Sequence, residues 1–199
     1  MFVNTETGAA MTAAQIIAAH PLTLFPTPFA PPDGYAPLAD IAPPAHDPDT
    51  QRLEPLAPVK VGSVWEPRWQ VVNRPAQTVA EELAAAKAAK HIEINDARLA
   101  ANTSTFAHAG KVFACDQLSR SDIDGTNGFV TLYGTLPPGW PGGWKAVDNT
   151  YLPINDVAAW KGFYTSMFAA GAANFAKTQT LKASLDAATT LAQVRGIVW

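Results

Sequence analysis

Residues able to do chemistry are few in this chain, and they stand apart. The four histidines, His20, His46, His91 and His108, are scattered singly, whereas a metal site needs three or four donors converging on one point. The one cysteine, Cys115, lies close to His108 across an expected hairpin, but a reactive thiol needs a neighbouring cation or base to lower its pKa, and none is evident. Residues 122–128, Asp-Ile-Asp-Gly-Thr-Asn-Gly, look like the front half of a calcium loop. The closing bidentate glutamate of such a loop would fall at Tyr133, so a helix start enriched in aspartate is the better reading. No G-x-S-x-G, H-E-x-x-H, phosphate loop or dinucleotide fingerprint occurs. The expectation is a protein with no catalytic residues, no bound metal and no cofactor. Trp140 and Trp144, in a loop of glycine and proline, offer either an exposed contact loop for a partner or carbohydrate, or indoles folded onto the core.

The elements that would carry these residues fall mostly after residue 94. Residues 105–108 and 111–114 read as a hairpin turning at Ala109-Gly110, with apolar alternation at Phe106, Val112 and Ala114. Ser119 is placed as the cap of a following helix, with Leu118 and Ile123 as a hydrophobic staple. Residues 144–147 suggest a third strand. The strongest helical pattern runs over 155–175, where Val157, Trp160, Tyr164, Met167, Phe168, Gly171 and Phe175 recur at three- and four-residue steps. A shorter helix is expected over 178–187, and a capping box at Thr190 and Gln193 opens a last turn. The expected core is Phe106, Phe113, Ile123, Trp160, Tyr164, Met167, Leu181, Leu185 and Ile197.

Ahead of this domain, residues 76–101 form an alanine-rich linking helix free of proline and glycine, with Thr78 as the expected N-cap. Ile92 and Leu99 sit seven residues apart, almost opposite its main stripe of Val79, Leu83, Ala86, Ile94, Ala97 and Ala101. The two faces fit either a plain scaffold helix or one that contacts a second neighbour.

Proline sets the character of residues 1–75. Thirteen of the 17 prolines lie between Pro21 and Pro75, and each removes a backbone donor and biases its predecessor toward extended conformations. A capping box at Thr12 and Gln15 opens a brief helix that Pro21 stops. The chain beyond it reads as an extended arm carrying Phe25, Phe29, Tyr35, Leu38 and Ile41. Two readings fit: a disordered linker, or an arm whose apolar side chains anchor on another chain. Short edge strands are expected around Val59, Val61, Val64 and residues 65–72.

Composition bounds the rest. Of 199 residues, 48 % are hydrophobic and only 16 % charged, so a core is within reach and part of the surface is expected to be covered. A net charge of −3 argues against nucleic acid as a partner. No apolar run approaches a membrane span, and no basic-then-apolar leader opens the chain, so synthesis in the cytoplasm without membrane association is expected. The architecture predicted is α+β: an N-terminal arm with a short helix and edge strands over 1–75, the linking helix over 76–101, and a compact C-terminal domain over 94–199 with a small antiparallel sheet packed by helices.

The pieces Ile94-Asn95…Arg98, Phe106…Gly110-Lys-Val-Phe113-Ala-Cys-Asp116…Ser119, Trp144-Lys-Ala-Val-Asp148-Asn149, Leu181-Lys182, Asp186…Thr190 and Ile197-Val-Trp199 carry a resemblance. In order and spacing they resemble a C-terminal domain of unknown function widespread in tailed-bacteriophage proteins. More loosely, residues 12–21 with Phe25-Pro26 and Gly34-Tyr35 are similar to the start of many phage tail and tail-fibre assembly proteins. Gly125 and Gly128 depart from the regular helix expected there. The resemblance implies a non-enzymatic structural role in a bacteriophage tail, as a tail-fibre or baseplate-associated virion protein made in the host cytoplasm. It implies other tail or tail-fibre proteins as partners, and self-association or symmetric copies on a partner. The alternative is a tail-fibre assembly chaperone absent from the mature virion.

Overall fold

The chain begins with β1 (Phe2–Asn4) and β2 (Ala10–Met11), paired antiparallel with Phe2 opposite Met11. The Asn4 side-chain oxygen accepts from the backbone N–H groups of Glu6 and Thr7 and closes the turn between them. Then comes α1 (Ala13–Ala19), opened by the expected Thr12/Gln15 capping box. A third strand, β3 (Tyr35–Pro37), pairs antiparallel with β1, giving the order β2-β1-β3. These elements come from a computed structural model describing residues 1–199, and its class is α+β as expected. Two compact units divide it, Met1–Ala80 and Glu81–Trp199.

The proline-rich stretch is more structured than an extended arm. Besides β3, it contributes β4 (Gln51–Val61), which forms a two-stranded antiparallel ribbon with β5 (Val64–Asn73). Gly62 and Ser63 make the two-residue turn between Val61 and Val64, with Gly62 at a positive φ of 62°. Pro55, Pro58 and Pro67 sit within the ribbon, and the pairing shifts register between Leu56 and Val59. Ala57 and Pro58 thus oppose Pro67 alone, a bulge that absorbs two of the three prolines. A ribbon with an open edge tolerates proline where a central strand would not.

In the C-terminal unit, β6 (Thr105–His108) and β7 (Lys111–Ala114) form the expected hairpin. Ala109 and Gly110 both adopt positive φ, 47° and 76°, as a type I′ turn requires. Cross-strand pairing sets Phe106 against Phe113, so these two fill the buried face and Val112, expected inward, is 48 % exposed. Next is α3 (Gln117–Tyr133), capped by Asp116, whose carboxylate accepts from the N–H groups of Leu118 and Ser119. Ser119 is therefore inside the first turn rather than its cap, and Leu118, at 72 % exposure, staples nothing. The pair β8 (Gly143–Lys145) and β9 (Tyr151–Pro153) follows.

One helix replaces the two expected after it. α4 (Val157–Ala187) runs unbroken for 31 residues, about 46 Å at 1.5 Å per residue. Nothing between residues 175 and 178 breaks it, since no proline intervenes. Its buried positions are Trp160, Phe163, Met167, Thr178 and Leu185, while Phe168 and Phe175 of the expected stripe are exposed. The linking helix α2 (Ala76–Asn102) begins before Thr78, which is not its cap: the Val79 N–H already bonds the Pro75 carbonyl. Asn102 and Lys87 meet Asn174 and the Asp186 carbonyl, so α2 and α4 lie antiparallel. The short α5 (Leu191–Arg195) opens on the expected Thr190/Gln193 capping box.

The expected single core is two clusters. One gathers Phe106, Phe113, Ile123, Trp160, Phe163 and Met167, with Tyr164 at its margin. The other gathers Ile94, Leu185, Val194 and Ile197, with Leu181 partly buried against it. Trp160 is fully buried, and its indole N–H finds no acceptor. Truncating Trp160→Ala is therefore expected to cost about 3–5 kcal/mol in chemical denaturation. Trp160→Phe, which removes the unpaired donor along with less volume, is expected to cost clearly less. Equal losses would mean that the indole N–H is satisfied.

Candidate functional site

The tryptophan loop was expected either to reach outward or to fold inward, and it folds inward. Gly139 and Gly142 take positive φ, 76° and 81°, which turns the loop back on the sheet. Trp140 stacks on Trp144 at 6.0 Å and meets Trp160 edge-on at 5.5 Å, and its indole N–H donates to the Ile154 carbonyl at 2.7 Å. Trp144 also packs on Phe163 at 5.7 Å. Both indoles are half-buried against the core, so they do not form the exposed contact loop considered above. Gly143 allows this approach: a Cβ there would collide with the Leu152 carbonyl oxygen across the β8–β9 pair.

The scattered chemistry remains scattered. Residues 122–128 lie in mid-α3, where helical geometry directs their side chains around the axis rather than toward one ion. No group of three or more histidine, cysteine or acidic side chains is placed to hold a metal. Burial pushes the Cys115 thiol up from its ordinary value despite the nearby Arg120 guanidinium, which keeps the sulfur protonated and poorly nucleophilic. His108 does not face Cys115; its Nδ1 shares a 2.7 Å hydrogen bond with the Ser166 hydroxyl. Burial, then the neighbouring Asp124 carboxylate, raises the Tyr164 phenol.

The five arm residues occupy the N-terminal unit, and four of them are half-buried there. Phe25 packs on Phe29 at 5.3 Å, and Phe29 packs edge-on against Phe2 at 5.3 Å. Tyr35 lies in β3 with its hydroxyl 3.2 Å from His20 Nε2. Leu38 bridges to Trp65 of β5, and the next N–H, that of Ala39, donates to the Trp65 carbonyl at 2.8 Å. The expectation that another chain must cover all five is thus corrected: the unit's own strands and Phe2 cover much of four, and Ile41 alone is exposed.

Leu38 and Ile41 converge on a groove of about 490 Å³ against the face of the β4–β5 ribbon. Met1, Leu56, Pro58 and Trp69 also line it, and Asp40 and Arg68 are its charged groups. A mostly apolar cleft with one charge of each sign binds an uncharged apolar segment better than a small polar metabolite. Sequence reasoning missed Leu56 and Trp69 as partners of Leu38, because only the ribbon's register brings them together. It also passed over Leu22 and Leu24, which are 100 % and 99 % exposed. Leucines bracketed by Pro21 and Pro26 were the available signal.

A domain of unknown function, DUF4376, matches residues 85–196. The chain belongs to the DUF4376 family. That match begins inside α2, runs through the hairpin and both helical clusters, and ends beside α5. No curated protein and no solved structure matches the chain.

Two exposed carboxylates of the DUF4376 region carry a testable pH signature. The Ser119 N–H and hydroxyl, with the Leu118 N–H, hold Asp116 below the usual carboxylate range, and the Thr150 hydroxyl and N–H do the same for Asp148. A carboxyl whose folded pKa lies below its unfolded value adds stability above the unfolded pKa, near 4, and loses it as pH falls through the folded value. Asp116→Asn keeps a capping oxygen but removes the proton linkage. Denaturation midpoints measured from neutral pH down to strongly acidic pH should therefore fall less steeply below about pH 4 in that variant. An unchanged acid limb would assign the acid sensitivity to other groups.

Proposed function

We propose that this DUF4376 protein is a non-enzymatic structural component of a bacteriophage tail, a tail-fibre or baseplate-associated virion protein that docks on other tail proteins through its N-terminal unit. The resemblance of its C-terminal pieces and of its opening segment to phage tail proteins supplies the context. The observation that carries the docking role is the β4–β5 ribbon. Val61 and Val64 flank its turn and are 51 % and 47 % exposed, and Val71 is exposed further along. An isolated two-stranded ribbon is marginal in water, so one with bare valines at its tip gains from a covering partner.

Mass spectrometry of purified particles tests the reading. The protein is expected among the virion components, in a fixed ratio to a tail protein. Its absence from particles, with fibre protein bound to it in the infected-cell lysate, would assign it instead as an assembly chaperone. Val61→Asp combined with Val64→Asp should leave the C-terminal unit folded and reduce incorporation strongly. Normal incorporation of that variant would move the docking surface away from the ribbon tip.

A further inference from the structure

Residues 21–24 form an apolar hook. Leu22 and Leu24 are almost wholly exposed, at 100 % and 99 %, in a stretch from Pro21 to Pro28 without a charged residue. The hook is held at both ends. Upstream, the Thr23 N–H donates to the His20 carbonyl at 3.0 Å, and the His20 N–H to the Ile17 carbonyl at the end of α1. Downstream, Phe25 and Phe29 are fixed against each other and against Phe2. A segment already held in place loses little entropy on docking.

We propose that the hook of one copy seats in the groove formed by Leu38, Ile41, Leu56 and Trp69 of a second copy, reciprocally, so that the N-terminal units form a twofold dimer. The hook cannot be filling its own chain's groove, because both leucines are exposed in the folded chain. Knob and groove occur once each per chain, so two copies match them with none left over, and a twofold axis makes the pairing closed. A stable specific pair buries roughly 1,200 Å² or more, and two reciprocal insertions cover twice the surface of one. The hook brings no charge to be desolvated beside Asp40 and Arg68. Strand addition along the outer edge of β4 is the competing way to use this face, and Pro55 and Pro58 obstruct it. The inference is independent of the tail reading, since it needs only this chain.

Sedimentation equilibrium of the full-length protein tests it. A monomer–dimer equilibrium is expected across the micromolar range. Leu22→Asp with Leu24→Asp should weaken it at least tenfold, with the circular dichroism spectrum at low temperature unchanged. Leu56→Asp, on the groove side, should weaken it similarly. Because Cys115 is buried at 4 % exposure, introduced thiols can be followed against a silent background. Chains carrying only Leu24→Cys, mixed with chains carrying only Leu56→Cys, should give a disulfide-linked dimer under mild oxidation. Chains carrying only Leu132→Cys, far along α3 and exposed, should give none with the Leu56→Cys chains. A monomer at every concentration, a dimer that survives the hook substitutions, or cross-linking no better than the Leu132→Cys control would overturn the proposal.

Discussion

Trp160 and Phe163, one helical turn apart on α4, are the contact on which the C-terminal unit depends. Phe163 meets Phe106 at 5.1 Å and Phe113 at 4.9 Å, so it ties the helix to the β6–β7 hairpin. Trp160 meets Trp140 and Trp144 at 5.5 and 5.6 Å, so it ties the same turn to the glycine loop. Neither the hairpin nor the β8–β9 pair has enough strands to stand alone. Each is stabilised by laying aromatic rings on a helix that is itself held at its far end by Leu185 against Ile94 and Val194. Edge-on and tilted ring pairs each add about 0.5–1.5 kcal/mol beyond the area they bury. Losing the central turn would therefore release several elements together.

What was legible in the residues follows from how local each signal is. The hairpin turn at Ala109-Gly110 and the capping boxes at Thr12 and Thr190 are written within four residues, and the chain folds them as read. On the second hairpin strand the alternation pattern points Val112 inward while the expected core names Phe113; the pairing with Phe106 bears out Phe113, since a period of two turns a one-residue slip into the wrong face of the sheet. Phe163 was missed because the stripe was followed from Trp160 to Tyr164, whereas the buried face advances by three, to Phe163, before stepping to Met167. The β4–β5 ribbon was under-read because its prolines count against strands. A bulge places two of them where no ladder bond is lost, and that depends on a register no short window reveals. In the candidate groove, Leu38 and Ile41 were visible as apolar residues among prolines. Their partners Leu56 and Trp69 come from distant chain and were not.

The low charge of the chain was read as a sign of covered surface, and its distribution refines that idea. On the C-terminal unit two aromatic rings lie under cations, although other apolar side chains there, such as Leu118, Leu132 and Phe168, are exposed as well. The Arg98 guanidinium lies 4.9 Å over the exposed Phe175 ring, and the Lys177 ammonium lies 4.7 Å over Trp199. Cations of this kind shield aromatic faces from water at the cost of a flexible side chain's freedom. In the N-terminal unit no such cation–ring contact occurs, and the valines at the ribbon tip and the leucines of the hook stand open.

The sharper difference between the two units is in what they bury. Within Met1–Ala80 the only fully buried large apolar side chains are Val3 and Ile16, whereas the other unit buries Phe113, Ile123, Ile154, Trp160, Phe163 and Leu185. At about 25 cal/mol per Å² of apolar surface removed from water, two aliphatic side chains offset little of the conformational entropy lost in ordering so long a segment. Half-buried prolines and rings contribute the remainder, and proline helps further by restricting the unfolded chain. A unit built this way sits near the stability threshold when alone, and anything that binds its folded form raises its stability in proportion to the logarithm of ligand excess. The open groove and hook go with the thin core: apolar surface that a larger domain would bury within itself stays exposed here, and it is this surface that the proposed pairing of two copies would cover.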